Sequence, residues 1–228
     1  MRRLIPVLLL ALPLAVGCSS DSTAPNSANS ALLRIVHGSP DTPPLDIYNS
    51  GTLLVQGLPY ASASSFYTFT TGANEFQVRT SGAVNLLLDI SPGLAAGTAY
   101  TLALIGTGGT LDSVLLTDDT TTVASGAVRL RLVQLAPLGP AMDLYVTAAS
   151  DDITNLTPTM SGVAYRSASP YVTPTSGSAR LRITQAGTKT VLVDSGVLSL
   201  TSGQVLSLFV FGKPGSGGGG APYSAQLF

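Results

Sequence analysis

Residues Arg34 to Tyr48 read RIVHGSPDTPPLDIY, and residues Arg131 to Tyr145 read RLVQLAPLGPAMDLY. Arg34, Pro40, Asp46 and Tyr48 recur as Arg131, Pro137, Asp143 and Tyr145, each 97 positions later. A constant spacing of this kind marks a tandem duplication. The alternation in and around the quoted stretch sets the class of fold. Ala31, Leu33 and Ile35 alternate with Leu32, Arg34 and Val36, and in the second copy Val128, Leu130 and Leu132 alternate with Arg129 and Arg131. A period of two is that of a half-buried strand, so Arg129 and Arg131 are expected to face out. GSPDTPP then ends the ladder, because proline has no N–H to donate, and Leu45-Asp46-Ile47-Tyr48 resumes it.

The duplication runs further along the chain. Tyr60 in PYASASS falls on Tyr165 in AYRSASP, 105 positions on, so the second copy carries eight extra residues. They are assigned to the loop AASDDITNLTPT, where an insertion costs little because closure entropy grows slowly with length. Phe76 and Val78 correspond to Leu181 and Ile183 as inward residues, and Asp89 corresponds to Asp194. The last strand pairs begin after Gly97 and Gly203, and PGSGGGG, at the position of the earlier GTGGT, is taken as an elongated hairpin loop. The copies are placed at 31–123 and 124–228, with the boundary in DDTTTVASG.

Of the 228 residues 45% are hydrophobic and only 10% charged, which favours filled cores over disorder. With 24 glycines, 15 prolines and no stretch of helical period, the chain is expected to be all-β. Short strands with turn signals at regular intervals predict two tandem β-sandwich domains, each large enough to fold without disulfides. Eleven basic residues against twelve acidic ones, with no Lys/Arg cluster, exclude nucleic acid as an expected partner. A single cysteine rules out an intrachain disulfide.

That cysteine sits in an informative place. Arg2 and Arg3 precede an apolar run from Leu4 to Val16, broken by Pro6 and Pro13, which has the layout of a signal peptide over residues 1–17 and is too short to span a bilayer. Ala15-Val16-Gly17-Cys18 resembles a bacterial lipoprotein lipobox, with Ala15 where leucine is usual. The resemblance implies that Cys18 is acylated and becomes the N-terminus, held in the membrane by more than the two chains stable anchoring needs. Ser19 and Ser20 point to the outer membrane by analogy with enterobacterial sorting. Residues 18–30 are polar and aperiodic, and are expected to form a disordered tether.

No residue set reads as a reaction centre. His37, Ser39 and Asp41 supply the residue types of a hydrolase triad, but neighbours in a turn point apart, and their counterparts are Gln134, Ala136 and Leu138. His37 is therefore expected to bond a turn carbonyl at a strand end. Asp46 and Asp143 are expected to tie down the adjacent proline turns through backbone N–H groups. Asp118-Asp119 and Asp151-Asp152 could gather oxygen ligands for Ca²⁺, but solvated turns are the expectation, so neither a metal nor a cofactor is assigned. Tyr60, Tyr67, Tyr165 and Tyr171 flank the SAS motifs, either as a recognition surface, including one for carbohydrate, or as edge caps with ring buried and hydroxyl wet.

HGSPDTPPLDIY, LPYASASSFYTF, GANEFQVR and GTAYTLALIG together resemble the bacterial family called domain of unknown function 4397. Both copies take part, the second departing at Gln134, Leu135 and Ala136, where the family favours His, Ala or Gly, and Ser. The resemblance implies an immunoglobulin-like or transthyretin-like sandwich on secreted or surface-anchored bacterial proteins, with no assigned activity. The expected protein is a lipoprotein of the cell envelope, a non-catalytic structural, adhesion or ligand-binding module. Its expected partners are the membrane, through the anchor, and an envelope protein or glycan. The alternatives are an envelope hydrolase or carbohydrate-active enzyme, which needs two carboxylates meeting in a cleft, and a calcium-stiffened adhesin.

Overall fold

The computed structural model describes residues 29–107, 110–213 and 223–228. The signal segment, Cys18, most of the tether and the PGSGGGG stretch lie outside the described residues. Among those described every regular element is a strand.

The first half holds β1 (Ser30–His37), β2 (Leu45–Asn49), β3 (Thr52–Leu58), β4 (Tyr67–Thr70), β5 (Gly72–Ala73), β6 (Phe76–Thr80), β7 (Leu86–Ile90), β8 (Gly93–Leu94), β9 (Ala99–Thr107) and β10 (Thr110–Asp118). Two four-stranded sheets, ordered β10-β9-β1-β4 and β3-β2-β6-β7, face each other, and β5 pairs with β8 at one end. The second half holds β11 (Arg129–Gln134), β12 (Met142–Thr147), β13 (Met160–Val163), β14 (Ser167–Ala168), β15 (Gly177–Gln185), β16 (Val191–Leu200), β17 (Val205–Gly212) and β18 (Tyr223–Leu227). Its sheets, β14-β11-β17-β18 and β13-β12-β15-β16, follow the same order, except that β14 takes the edge beside β11 where the first half has β4, and the residues matching β4 touch the β11 segment only at isolated bridges. In both halves the opening strand runs parallel to a late one, β1 to β9 and β11 to β17. Each half is thus a β-sandwich of two four-stranded sheets, unlike the four-and-three arrangement of an immunoglobulin constant domain.

The alternation read from the sequence places the cores. Ala31, Leu33 and Ile35 of β1 pack with Leu45, Ile47, Phe76 and Val78 inside the first sandwich. Leu130 and Leu132 of β11 pack with Leu144, Leu181 and Ile183 inside the second. The eight extra residues open the two-residue β2–β3 turn into the 148–159 loop between β12 and β13, where Ile153 is buried.

The other face of the inner strands departs from expectation. Val36, Ala103 and Ile105 of the first half meet Val133, Leu135, Phe209 and Phe211 of the second in a third apolar cluster. All seven are fully buried. The four sheets therefore stack, and the two inner ones are covered on both sides. Arg131, expected to face out, is 3% exposed. Alternation distinguishes two faces of a strand but does not say that the second one meets water. Each aliphatic or aromatic side chain buried at this joint contributes about 1.5–3 kcal/mol, which a separated half would forgo.

Candidate functional site

Asp46 and Asp143 show how faithfully the duplication is built. Each lies on a strand opposite a bulge, where two residues of the partner strand face one: Gln56 and Gly57 face Asp46, and Ser161 and Gly162 face Asp143. Asp46 Oδ1 accepts the Gly57 N–H at 2.7 Å and Oδ2 the Gly82 N–H at 3.0 Å. Asp143 accepts those of Gly162 at 2.7 Å and Gly187 at 2.9 Å. All four glycines have left-handed φ, between 61° and 74°, which glycine adopts without the Cβ clash. The carboxylates thus fasten a bulge and a hairpin turn, not the adjacent proline turns. The Gly82 amide above all, with Gly57 and Ser81, holds the Asp46 carboxyl below the usual range against the opposing effect of desolvation.

His37 and its counterpart Gln134 do the same work with different chemistry. A contact of 3.3 Å joins His37 Nε2 to the Pro43 carbonyl, and Gln134 Nε2 donates to the Pro140 carbonyl at 3.2 Å. His37 Nδ1 accepts the Ser39 N–H, and Gln134 Oε1 accepts the Ala136 N–H. Burial lowers the His37 pKa, only partly opposed by the Pro43 and Thr42 backbone. Ser39 Oγ bonds Thr42 and the Gly106 carbonyl, so His37 and Ser39 are both engaged in fastening the turn.

The four tyrosines separate. Tyr60 sits at the joint, edge-on to His37 and Phe211, and its hydroxyl donates to the Gly212 carbonyl of the other half. Desolvation, with Asp41 nearby, raises its pKa. Tyr165 packs into the same joint, and burial raises its pKa as well. Tyr67 packs against the first core and donates to the Leu54 carbonyl at 3.2 Å. Tyr171 alone of the four lines a large opening.

That opening is a cleft of about 700 Å³ between the two halves, walled by Arg34, Phe66, Tyr171, Phe228, Val123 and the 118–122 segment. It grows out of the repeat. Arg34 lies over the Phe66 ring at 5.0 Å, as Arg131 lies over Tyr171 at 4.8 Å, and Tyr171 follows Phe66 at the 105-residue spacing. Arg34 Nε donates to Thr101 Oγ1 at 2.9 Å, as Arg131 Nε donates to Ser207 Oγ at 2.8 Å. Between the two arginines stands one acid. Asp118 pairs with Arg131 Nη2 through Oδ1 and accepts the Thr101 hydroxyl at 2.7 Å through Oδ2. Its closest approach to Arg34 is 3.7 Å, to Nε.

Asp118 and Asp119 are not the solvated turn expected of them. The Asp118 side chain is 7% exposed. Asp119 is held by Arg129 at 2.5 Å and by the Thr121 N–H and hydroxyl. Burial pushes Asp119 up, but the Thr121 bonds and Arg129 outweigh it and leave its carboxyl below the usual range. Asp152 is bonded by Thr154 and Asp151 by the Ala148 N–H, and no cluster of three or more His, Cys, Asp or Glu that could hold a metal occurs among the described residues. Sequence reasoning passed over Phe66, Asp118 as an ion-pair partner, and the Thr101/Ser207 pair. Phe66 falls on Tyr171 at the 105-residue spacing and Thr101 on Ser207 one further, but Asp118 has no acidic counterpart, and reading any of them requires knowing that the outer face of β1 and β11 is covered.

The class these observations define is a double β-sandwich with a cleft where the halves meet. The chain belongs to the family described as domain of unknown function DUF4397, whose match covers residues 31–145, from β1 across the first sandwich and into β12. No curated protein matches it. Among solved structures it is similar to a family CBM26 module, CBMbc, from Eubacterium rectale in complex with maltoheptaose. That similarity has 12% identity and a TM-score of 0.26, over 87% of this chain and 96% of that one. It is also similar to a leucine-rich repeat protein from Bacteroides thetaiotaomicron, with 14% identity and a TM-score of 0.21, over 78% of this chain and 25% of that one. At such scores neither similarity bears on ligand or activity.

Proposed function

We propose that this protein is an envelope lipoprotein, anchored through Cys18, that binds a small ligand in the cleft between its two sandwiches without transforming it. The cleft carries this reading. Its volume suits a small molecule or a short oligomer end, and it combines aromatic walls with a few polar groups. Its acids argue against hydrolysis. A glycosidase needs one carboxyl with a raised pKa, whereas Asp119 is depressed and Asp118 is committed to Arg131 and Thr101. Lipid attachment rests on the lipobox-like run and the polar segment after it.

The test is an amide-resolved binding screen of the mature chain against glycans and small metabolites. Perturbations gathered on Thr120 to Val123 and Tyr171 are expected, and should vanish in Tyr171→Ala. A panel that perturbs only other surfaces would defeat the reading. Membrane fractionation of Cys18→Ser tests the anchor separately: the variant should leave the membrane pellet.

A further inference from the structure

We infer that the cleft receives a carboxylate and that Arg34 is the residue that grips it. The inference rests on the cleft being a binding site and names the chemistry of its ligand. Arg34 and Arg131 are one residue of the repeat in two states of satisfaction. Arg131 spends Nε on Ser207, Nη1 on the Thr117 carbonyl and Nη2 on Asp118, and is closed off from solvent. Arg34 spends only Nε, on Thr101. Neither of its Nη atoms donates a hydrogen bond within the described residues, yet its side chain, 11% exposed, lines the cleft. The Arg34 Nη atoms are not among the buried unpaired polar atoms of the described residues, so on a side chain otherwise covered by protein their N–H groups open into the cleft and are free to meet a ligand.

The charge balance says what kind. Two arginines share Asp118 and Asp119 is matched by Arg129, so the side chains of the cluster carry one cation more than they carry acids, while the Phe228 oxygen beside them is taken up by the Ser207 N–H. Desolvation pulls the Arg34 pKa below its ordinary value, and Arg131 adds to this while Asp118 opposes it. A monoanion would supply the missing counter-charge. A dianion such as a phosphate ester would face Asp118 and Asp119 with one uncommitted cation to meet it. The planar guanidinium fork matches a carboxylate in shape, and the Phe66 ring lies against it at 5.0 Å. Phe66, Tyr171 and Phe228 then offer flat apolar faces to the rest of the ligand, which suits either an aromatic body or the face of a sugar acid.

Titrating the labelled mature chain with phenylacetate against phenylacetamide, and with glucuronate against methyl glucoside, tests this. At least one carboxylate should bind tenfold or more tightly than its neutral partner, with shifts on Thr120 to Val123 and the Arg34 Nε–H. The preference should be lost in Arg34→Gln, weakened in Arg34→Lys and kept in Arg166→Gln, a variant at an exposed ion pair with Asp112. The wild-type comparison stands even if Arg34→Gln fails to fold. Equal binding of acids and neutral analogues would overturn the role of Arg34 while leaving the cleft a binding site. No perturbation of the cleft by any of the four would overturn both.

Discussion

The two halves share a scaffold down to single hydrogen bonds and differ where they meet. Asp46 and Asp143 hold the same pair of glycine amides, and His37 and Gln134 span the same turn. Arg34 and Arg131 begin alike, on a hydroxyl and over a ring, and then part: one is saturated, the other keeps donors facing an opening. The bonds that make each sandwich lie within one half, whereas the face each half turns to the other is shared, and there Asp118 and the Thr117 carbonyl of the first half saturate Arg131 but not Arg34.

The arginine pair should break that comparison most sharply. Arg131→Gln leaves buried Asp118 with only Arg34, at 3.7 Å, and the Thr101 hydroxyl, and is expected to cost about 3 kcal/mol in urea unfolding, whereas Arg34→Gln should cost about 1 kcal/mol or less. Equal losses would mean that the two sites are equivalent after all. The aspartates should behave oppositely. Asp46→Ala and Asp143→Ala each remove the acceptor of two charge-assisted bonds and should each cost about 3 kcal/mol, with little difference between halves. Next come the bulge glycines: Gly57→Ala and Gly162→Ala force an L-residue to left-handed φ without a serious clash, at about 1–2 kcal/mol each.

The smallest effect is the pH response of His37. Its folded-state pKa is lowered, so the folded protein favours neutral imidazole. That contribution is complete above the unfolded value of about 6.5 and is lost as pH falls from there through the lower folded value. Lowering pH from 7 to 5 should reduce the Tm of the wild type more than that of His37→Gln, which copies the second half's own solution. Asp46, whose pKa is depressed, acts only in more acid solution: its contribution is present above about 3.9 and lost as pH falls through the folded value.

Much of this was legible in the chain itself. Period two named the inward residues of β1, β6, β11 and β15, and the shift in repeat spacing from 97 to 105 located the insertion before β13. The carboxylates were recognisable as structural, though not their glycine partners, because Gly57 and Gly82 are brought to Asp46 by a bulge and a hairpin on two different neighbours. The cleft was not legible. Arg131 among alternating leucines looks solvated, since nothing local records that another sandwich lies on top of it. Phe66 and Asp118 acquire meaning only once the two inner sheets are stacked. Of the four tyrosines, only Tyr171 proved to line the cleft, and Tyr60 and Tyr165 brace the joint.

The position of β1 has a mechanical consequence. It is an interior strand, flanked by β4 on one side and β9 on the other, and it follows directly on the polar segment downstream of Cys18. Traction applied from that end pulls along the strand, across its hydrogen bonds, so the rungs to both neighbours are loaded together and not peeled one at a time. A body leashed at its amino end and dragged by flow would resist through shear of its most deeply embedded strand.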